Sequence, residues 1–558
     1  MKFFVVFSSL IAMAGTAVAK QPANLQKYID AEVKRGNKEI TIPAGRYTID
    51  KTLLLKRIKD TKVNAEGVML VMTRFEIAVR IERCTKLTIS GLTVDYDPLP
   101  FTQATVTAVK GNSLEFTIHK GYPKLTKEYA VPRAHVFDAK SRLWKKDESD
   151  LYGKTKIISS EKGIFNSVNP ISNIQPGDYI VLNIRKAPAI GIYDLSSNIR
   201  LENVTLLSSS SLGVIERFTL GGDYFKNLVI KRGPTPRGAT EPRLFSTCAD
   251  GLNFAYNRNG PTLDGCDFSF MGDDSVNLHA VALPVIKVLN DKTFITARPY
   301  NGESFPDIIF KGDDLRLLNE GNFAIKDIVK IISFKKTDKN LVTYAKIREL
   351  FPTSHRHNDN KYTVYKVTCA EPLKGIKAGD FIDIPAIGSL GFKIINSYFH
   401  DHRARGLRIM STKGLIANNR LERIKHSAIA VGAEYAYWRE AGWVDNIVIK
   451  DNKLKDIGTG LNIRYPDSYV PGALAVFTKM KDYKDCPTSN RNILFENNTL
   501  DTCSVSAFFI NGADGVTLKN NVFKNVCYDK KAKPGINLGL YSDKPINIKN
   551  SKNVKVID

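Results

Sequence analysis

Apolar residues recur along this chain in short alternating runs, not in helical stripes. A recurring phrase sets two or three strand-like residues, then Asn or Gly, then a second apolar patch. It runs NIRLENVTLL (198–207), PTLDGCDFSF (261–270), FKIINSYFHD (392–401), GLIANNRLERI (414–424), IVIKDNKLKDI (447–457), NILFENNTLDT (492–502) and VTLKNNVFKNV (516–526). Alternation with period 2 predicts β-strands, and the intervening Asn or Gly predicts turns. Phe399 to Leu421 spans 22 residues and Leu500 to Phe523 spans 23. A period of about 22 residues made of short strands and Asn turns is what one coil of a parallel β-helix needs. Asn suits those corners because it tolerates the left-handed region and can bond the Asn one coil above. Leucine-rich repeats share the period, but their L-x-x-L-x-L frame is missing.

Helical periodicity is confined to residues 24–36 (NLQKYIDAEVKRG), a segment suited to covering the open end of the stack. An uncovered end would expose an apolar cross-section and unpaired strand edges. Two stretches break the repeat with longer alternating strands and hairpin punctuation. Residues 101–188 end in QPGDYIVLNIRK, and residues 283–386 end near KAGDFIDIPA. The pattern predicts an all-β chain: a right-handed parallel β-helix interrupted by two small antiparallel β-barrel domains. Its divisions are 20–100 for the cap and first coils, 101–188 for one barrel, 189–282 for further coils, 283–386 for the second barrel, and 387–558 for the last coils.

The first 19 residues read as an export signal, with Lys2, an apolar run from Phe3 to Gly15, and Ala17-Val18-Ala19 as a cleavage site. That run is too short to span a bilayer, and no later one is longer, so no membrane span and a periplasmic or secreted location are expected. The 81 Lys and Arg exceed the 57 Asp and Glu by 24, and removing the signal takes Lys2 and leaves +23. The basic residues are dispersed among acids and no nucleic-acid-binding pattern occurs, so no nucleic-acid partner is expected. A sulfated or uronic glycan would also suit that charge. The seven cysteines (84, 248, 266, 369, 486, 503, 527) include no CxxC and predict no metal site. Only Cys503 and Cys527, about one coil apart, stand where a bridge is conceivable.

The densest chemistry is CADGLNF (248–254) followed by FMGDDSVNLHA (270–280). Asp250 and Asp273 are 23 residues apart, one coil, which predicts neighbouring rungs about 5 Å apart, with Asp274 beside them. Carboxylates that close repel, so one of them should keep its proton near neutral pH. One protonated acid with one or two carboxylates to handle water is the equipment of a glycoside hydrolase. Turn-capping Asp residues and a calcium site are the competing readings; neither a metal nor a cofactor is expected.

Four segments carry a resemblance: LTISGLTVDYDPLPFTQ (87–103), the ADG and GDDSVNLH pair, HDHRARGLRI (400–409) and AEYAYWREAGWVDNIVIKDN (433–452). Together the chain resembles glycoside hydrolase family 110, bacterial exo-α-1,3-galactosidases built as a β-helix with two inserted barrels. The resemblance covers nearly the whole mature chain. It implies an inverting mechanism with Asp273 as general acid and with Asp250 and Asp274 positioning and activating water. It also implies a carbohydrate substrate ending in α-galactose. Family 28 polygalacturonases share a three-Asp arrangement, but have Asn-Thr-Asp where this chain has Cys248-Ala249-Asp250. The Gly-His-Gly and Arg-Ile-Lys pair that would grip a uronic acid are also missing.

Further candidates for sugar contacts are Asn277 and His279, then His400, His402, Arg403 and Arg405. Arg405 is favoured because Gly406 allows close approach. Glu434, Tyr435, Tyr437 and Trp438 form the most aromatic stretch, with Glu434 for paired hydroxyls and Trp438 as a stacking platform. Asp95 and Asp97 serve equally well as turn formers. Two other functions stay open: a β-helix glycanase for sulfated or uronic glycans, and a non-catalytic glycan-binding β-helix. The barrels flank the Asp-bearing coils and are expected to wall the groove into a pocket for chain ends.

Overall fold

The computed structural model describes residues 21–146, 148, 150–299, 304–351, 361–459, 472–480, 483, 485–531 and 533–558. The proposed signal, 1–19, lies outside them. Three parallel sheets of 12, 13 and 11 strands run the length of the chain among the described residues, and each coil contributes to all three. Register follows the repeat: Ile394 pairs with Ile416, and Ile493 with Val516. The interior is one apolar column from Leu25 in the helix Leu25–Lys34 to Leu518 near the far end. The predicted β-helix is therefore present, and the helix packs on its first coils.

The Asn pairs of the repeat divide their work. Asn418, Asn497 and Asn520 take left-handed backbone angles (φ 57°, 54° and 51°) and turn the corner. Their successors point inward and form a ladder: Asn419 donates to Asn452, Asn452 to Asn498 and Asn498 to Asn521, each at 2.9 Å. A buried amide that both gives and receives leaves no unpaired polar group at the bend.

Two closed antiparallel barrels leave this stack. The first has six strands from Phe101–Lys110 to Tyr179–Asn183, the second six from Leu283–Asn290 to Phe381–Asp383. The coils close up behind each insertion. Ile190 pairs back to Val79 across the first, and Leu263 pairs with Ile394 across the second. Cys503 pairs with Val526, not with Cys527, because this coil is 23 residues long, and both cysteines are thiols.

One polar pair sits inside the apolar column. Glu216 lies in register between the core residues Ile192 and Phe254. It accepts from the Thr219 hydroxyl and bonds Asp223, whose other oxygen accepts from the Ile199 amide at 2.7 Å. Two carboxylates cannot donate to each other, so the second Asp223 oxygen has a donor only when Glu216 carries a proton. Burial, with the Asp223 charge added, pushes the Glu216 carboxyl well up, and burial raises Asp223 to about 6. Between the ordinary carboxyl range near 4 and these raised values the folded chain holds more protons than the unfolded one. Stability therefore falls as pH rises through that window. Glu216→Gln keeps both hydrogen bonds and removes the titration. It should raise stability at pH 8 by about 2 kcal/mol and change little at pH 4. Denaturant midpoints at the two pH values check this; a lower midpoint at pH 8 would contradict it.

Candidate active site

The catalytic-looking carboxylates sit where strands Leu252–Asn259 and Val276–Val281 begin. Leu252 pairs with Val276 and Asn253 with Asn277, so the coil here is 24 residues long. The residue in register with Asp250 is thus Asp274, not Asp273, and the Gly251 amide donates to the Asp274 carbonyl at 2.9 Å. Asp273 lies one position earlier on the ladder. One oxygen from each of the three carboxylates lies within 4.8 Å of the others.

Arginines hold these groups apart in character. Asp274 is buried and accepts from Arg405 three times: from the backbone amide at 2.9 Å, Nε at 2.8 Å and the second guanidinium nitrogen at 2.6 Å. Arg405 occupies the next coil in the same column, since Val276 pairs with Leu407. Asp273 is the most exposed of the three. One of its oxygens is 3.0 Å from Arg185 and the other 2.9 Å from Arg403. Arg185 and Arg403 both also donate to the Gly272 carbonyl, at 3.1 and 2.7 Å, which fixes the Asp273 backbone. Among the described residues no arginine is ion-paired to Asp250, which accepts from Asn253 Nδ2 at 2.7 Å.

The electrostatic consequence differs for each acid. Burial would raise Asp273, but Arg403, Arg185, Arg405 and Arg133 outweigh it and hold the carboxyl well below its usual range. Burial followed by the Asp273 and Asp274 charges pushes Asp250 well above its usual range. Of the two, Asp250 is the carboxyl whose surroundings favour keeping a proton. The carboxyl pushed up is thus Asp250, whereas the family resemblance gives the acid role to Asp273. A divalent cation would need these same oxygens, and four guanidinium groups already surround them, so the donor set suits a proton-sharing cluster better.

The cluster opens into a pocket of about 510 Å³. Asn277, Arg405, Glu434 and Trp438 line it as expected, and so does Arg403. Glu434 also caps its own loop, accepting from the Tyr437 and Trp438 amides at 3.1 and 2.5 Å. Trp438 is 45% exposed. His402 and His279 are corrections. His402 is buried between coils, with Nε2 2.9 Å from the Ser275 hydroxyl, and burial lowers it to about 4. His279 is buried with Nδ1 2.8 Å from the Ala280 carbonyl, and burial lowers it to about 3. Neither is on the pocket wall. His400 stacks on Tyr398 and bonds Asp267 and Asp401 on another face. Tyr435 stacks on Phe323, and Asp95 is buried against Arg243.

Residues not singled out in the sequence, two of them inside the quoted motifs, complete the wall. Arg408 stands in register with Asn277 on the outward face. Glu440, 3.7 Å from Arg408, is pushed up to about 7, first by burial. The first barrel contributes Arg133, His135, Asp150 and Tyr152. The expectation that both barrels wall the groove needs correcting: among the described residues none of 283–386 lines the pocket. The second barrel braces the opposite wall from behind. Asp383 accepts from the Tyr435 hydroxyl at 3.2 Å, and the Phe323 carbonyl accepts from Trp443 Nε1 at 2.8 Å.

No family model matches the chain. The chain is 22% identical to alpha-1,3-galactosidase A of Bacteroides fragilis, over 89% of this chain and 83% of that protein. It is also 22% identical to alpha-1,3-galactosidase B of Akkermansia muciniphila, over the whole of this chain and 70% of that protein. Among solved structures, the mannuronan C-5 epimerase AlgE4 A-module of Azotobacter vinelandii is similar with a TM-score of 0.41 at 9% identity, over 95% of this chain and 94% of that one. The resemblance carried by the motifs is thus matched along nearly the full length: this chain is a distant relative of proteins named alpha-1,3-galactosidase.

Proposed function

We propose that this protein is an exo-acting glycoside hydrolase that removes terminal α-1,3-linked galactose with inversion, from glycans such as blood-group B or linear α-galactosyl chains. The observation that carries this reading is a cluster of three carboxylates in one pocket of a chain similar over most of its length to alpha-1,3-galactosidases. Asp273, the outermost, faces the departing oxygen and acts as the acid. Asp250 and Asp274 hold the attacking water. Delivery from Asp273 needs the proton to move outward from Asp250 when the sugar enters, a transfer between oxygens within 4.8 Å. The export signal read in residues 1–19 supports a glycan substrate met outside the cytoplasm.

Inverting sites usually keep their carboxyls about 6.5–9.5 Å apart, and these are closer. What supports water attack is the state of each acid. Asp274 is saturated by Arg405 and Asp273 is held by two arginines, which leaves Asp250, once its proton has moved outward, as the carboxylate that takes a proton from the attacking water. Proton NMR of the first-formed product on a terminal α-1,3-galactoside tests the reading. β-Galactose should appear first and galactose should be the sole sugar released. α-Galactose appearing first would overturn inversion, and released oligosaccharides would overturn the exo assignment.

A further inference from the structure

On the first-barrel rim of the pocket an aromatic ring stands braced in place. Tyr152, in strand Leu151–Ile157, is 39% exposed and lines the pocket. The Arg133 guanidinium covers its ring with 4.9 Å to the centroid. Its hydroxyl donates to Asp150 at 3.4 Å. The other Asp150 oxygen is 3.1 Å from Arg403 Nε, and Arg403 in turn is 2.9 Å from Asp273. The ring is therefore tied by three successive polar contacts to the outermost carboxylate of the cluster. Beside it Val168, 73% exposed, donates its amide to the Tyr152 carbonyl at 2.8 Å and extends the apolar rim.

We infer that Tyr152 is the platform of a leaving-group subsite, which takes the second sugar of the substrate, a neutral pyranose, against its ring. This rests on the galactosidase reading and adds where the rest of the glycan lies. The sugar that departs must leave past Asp273, because that is where its oxygen receives the proton, and Tyr152 joins that residue through Asp150 and Arg403 while its ring stays exposed, unlike the buried His135 on the same Asp150. A pyranose presents a face of C–H groups that suits an aromatic ring, while its hydroxyls stay in water at the rim. Holding the ring before the sugar arrives removes the ordering cost that a loose side chain would add to binding. Trp438, which also lines the pocket, is then left for the terminal galactose itself.

The test uses two substrates that differ only in whether they fill this subsite. α-Galactosyl fluoride has no second sugar, whereas galactosyl-α-1,3-galactose does. The reported quantity is the ratio of kcat/KM for the disaccharide to that for the fluoride. Tyr152→Ala should lower this ratio about tenfold, the size of one sugar–aromatic contact. Tyr152→Phe, which keeps the ring and loses the hydroxyl, should keep most of the ratio. Equal losses on both substrates in Tyr152→Ala would overturn the subsite, and so would a ratio lowered as far in Tyr152→Phe, since disturbing Asp150, Arg403 and Asp273 alone weakens the acid that the disaccharide needs and the fluoride does not. An unchanged ratio would overturn it as well. A wild-type protein inert on both substrates would instead overturn the galactosidase reading, and this one with it.

Discussion

Asp273→Asn should cut kcat on galactosyl-α-1,3-galactose about a thousandfold, and cut it much less on an aryl α-galactoside with an acidic phenol. General acid catalysis is worth roughly 10²–10⁴-fold, and a leaving group that departs without a proton does not need it. The amide is isosteric and keeps one hydrogen-bond acceptor for Arg185 or Arg403, so the fold should be unaffected. Asp250→Asn should behave differently. A water-activating carboxylate is needed whatever leaves, so its loss should be large and similar on both substrates. The comparison matters because burial and two neighbouring carboxylates push Asp250 up, while the arginines beside Asp273 hold it down. Steady-state rates of both variants on both substrates decide the roles. If Asp250→Asn proves the leaving-group-sensitive variant, the acid is Asp250 and the two assignments exchange.

The β-helix was visible in the sequence because its code is local. Strand alternation, Asn corners and a near-constant coil length repeat often enough to be read without any partner, and the inward Asn419–Asn452–Asn498–Asn521 ladder repays that reading. The Asp cluster was visible for the same reason: coil spacing brings 250 near 273 and 274. Its internal register was not, since one residue more or less per coil decides whether Asp273 or Asp274 stands over Asp250, and only the pairing of Leu252 with Val276 settles it. His279 and His402 stand inside the motifs, yet face buried partners: His402 alternates with the pocket-lining Arg403, while His279 has the parity of Asn277 but lies farther along its strand, against the Ala280 carbonyl and Glu440. Arg133, Asp150 and Tyr152 escaped altogether. They belong to an inserted barrel, and nothing periodic says where its surface comes to rest against the stack. Arg185 leaves the same barrel and reaches Asp273 across 88 positions of chain.

The DYDPLPFTQ segment, which contributed to the family resemblance, supports the site at one remove, and Arg243→Met should show it by costing about 3–5 kcal/mol of stability. Asp95 is buried and is gripped by Arg243 through two bonds of 2.9 Å, with the Ser208 hydroxyl at 2.6 Å. Gln103, at the other end of the segment, accepts from the Leu244 amide at 3.1 Å and donates to the Pro242 carbonyl at 3.0 Å. Both residues therefore clasp 242–244, the stretch of chain that leads into Cys248-Ala249-Asp250. Removing the guanidinium leaves a carboxylate in the interior with too few donors, and that desolvated charge, not the lost attraction, sets the size of the effect. Asp95→Asn in the same chain takes the charge away. The Asp95→Asn/Arg243→Met double variant should accordingly be more stable than Arg243→Met alone, the opposite of what two independent losses would give. Denaturant unfolding of the single variants and the double variant measures this. A loss below about 1 kcal/mol in Arg243→Met would mean that water reaches Asp95, and that the clasp on the Asp250 loop is carried by Gln103.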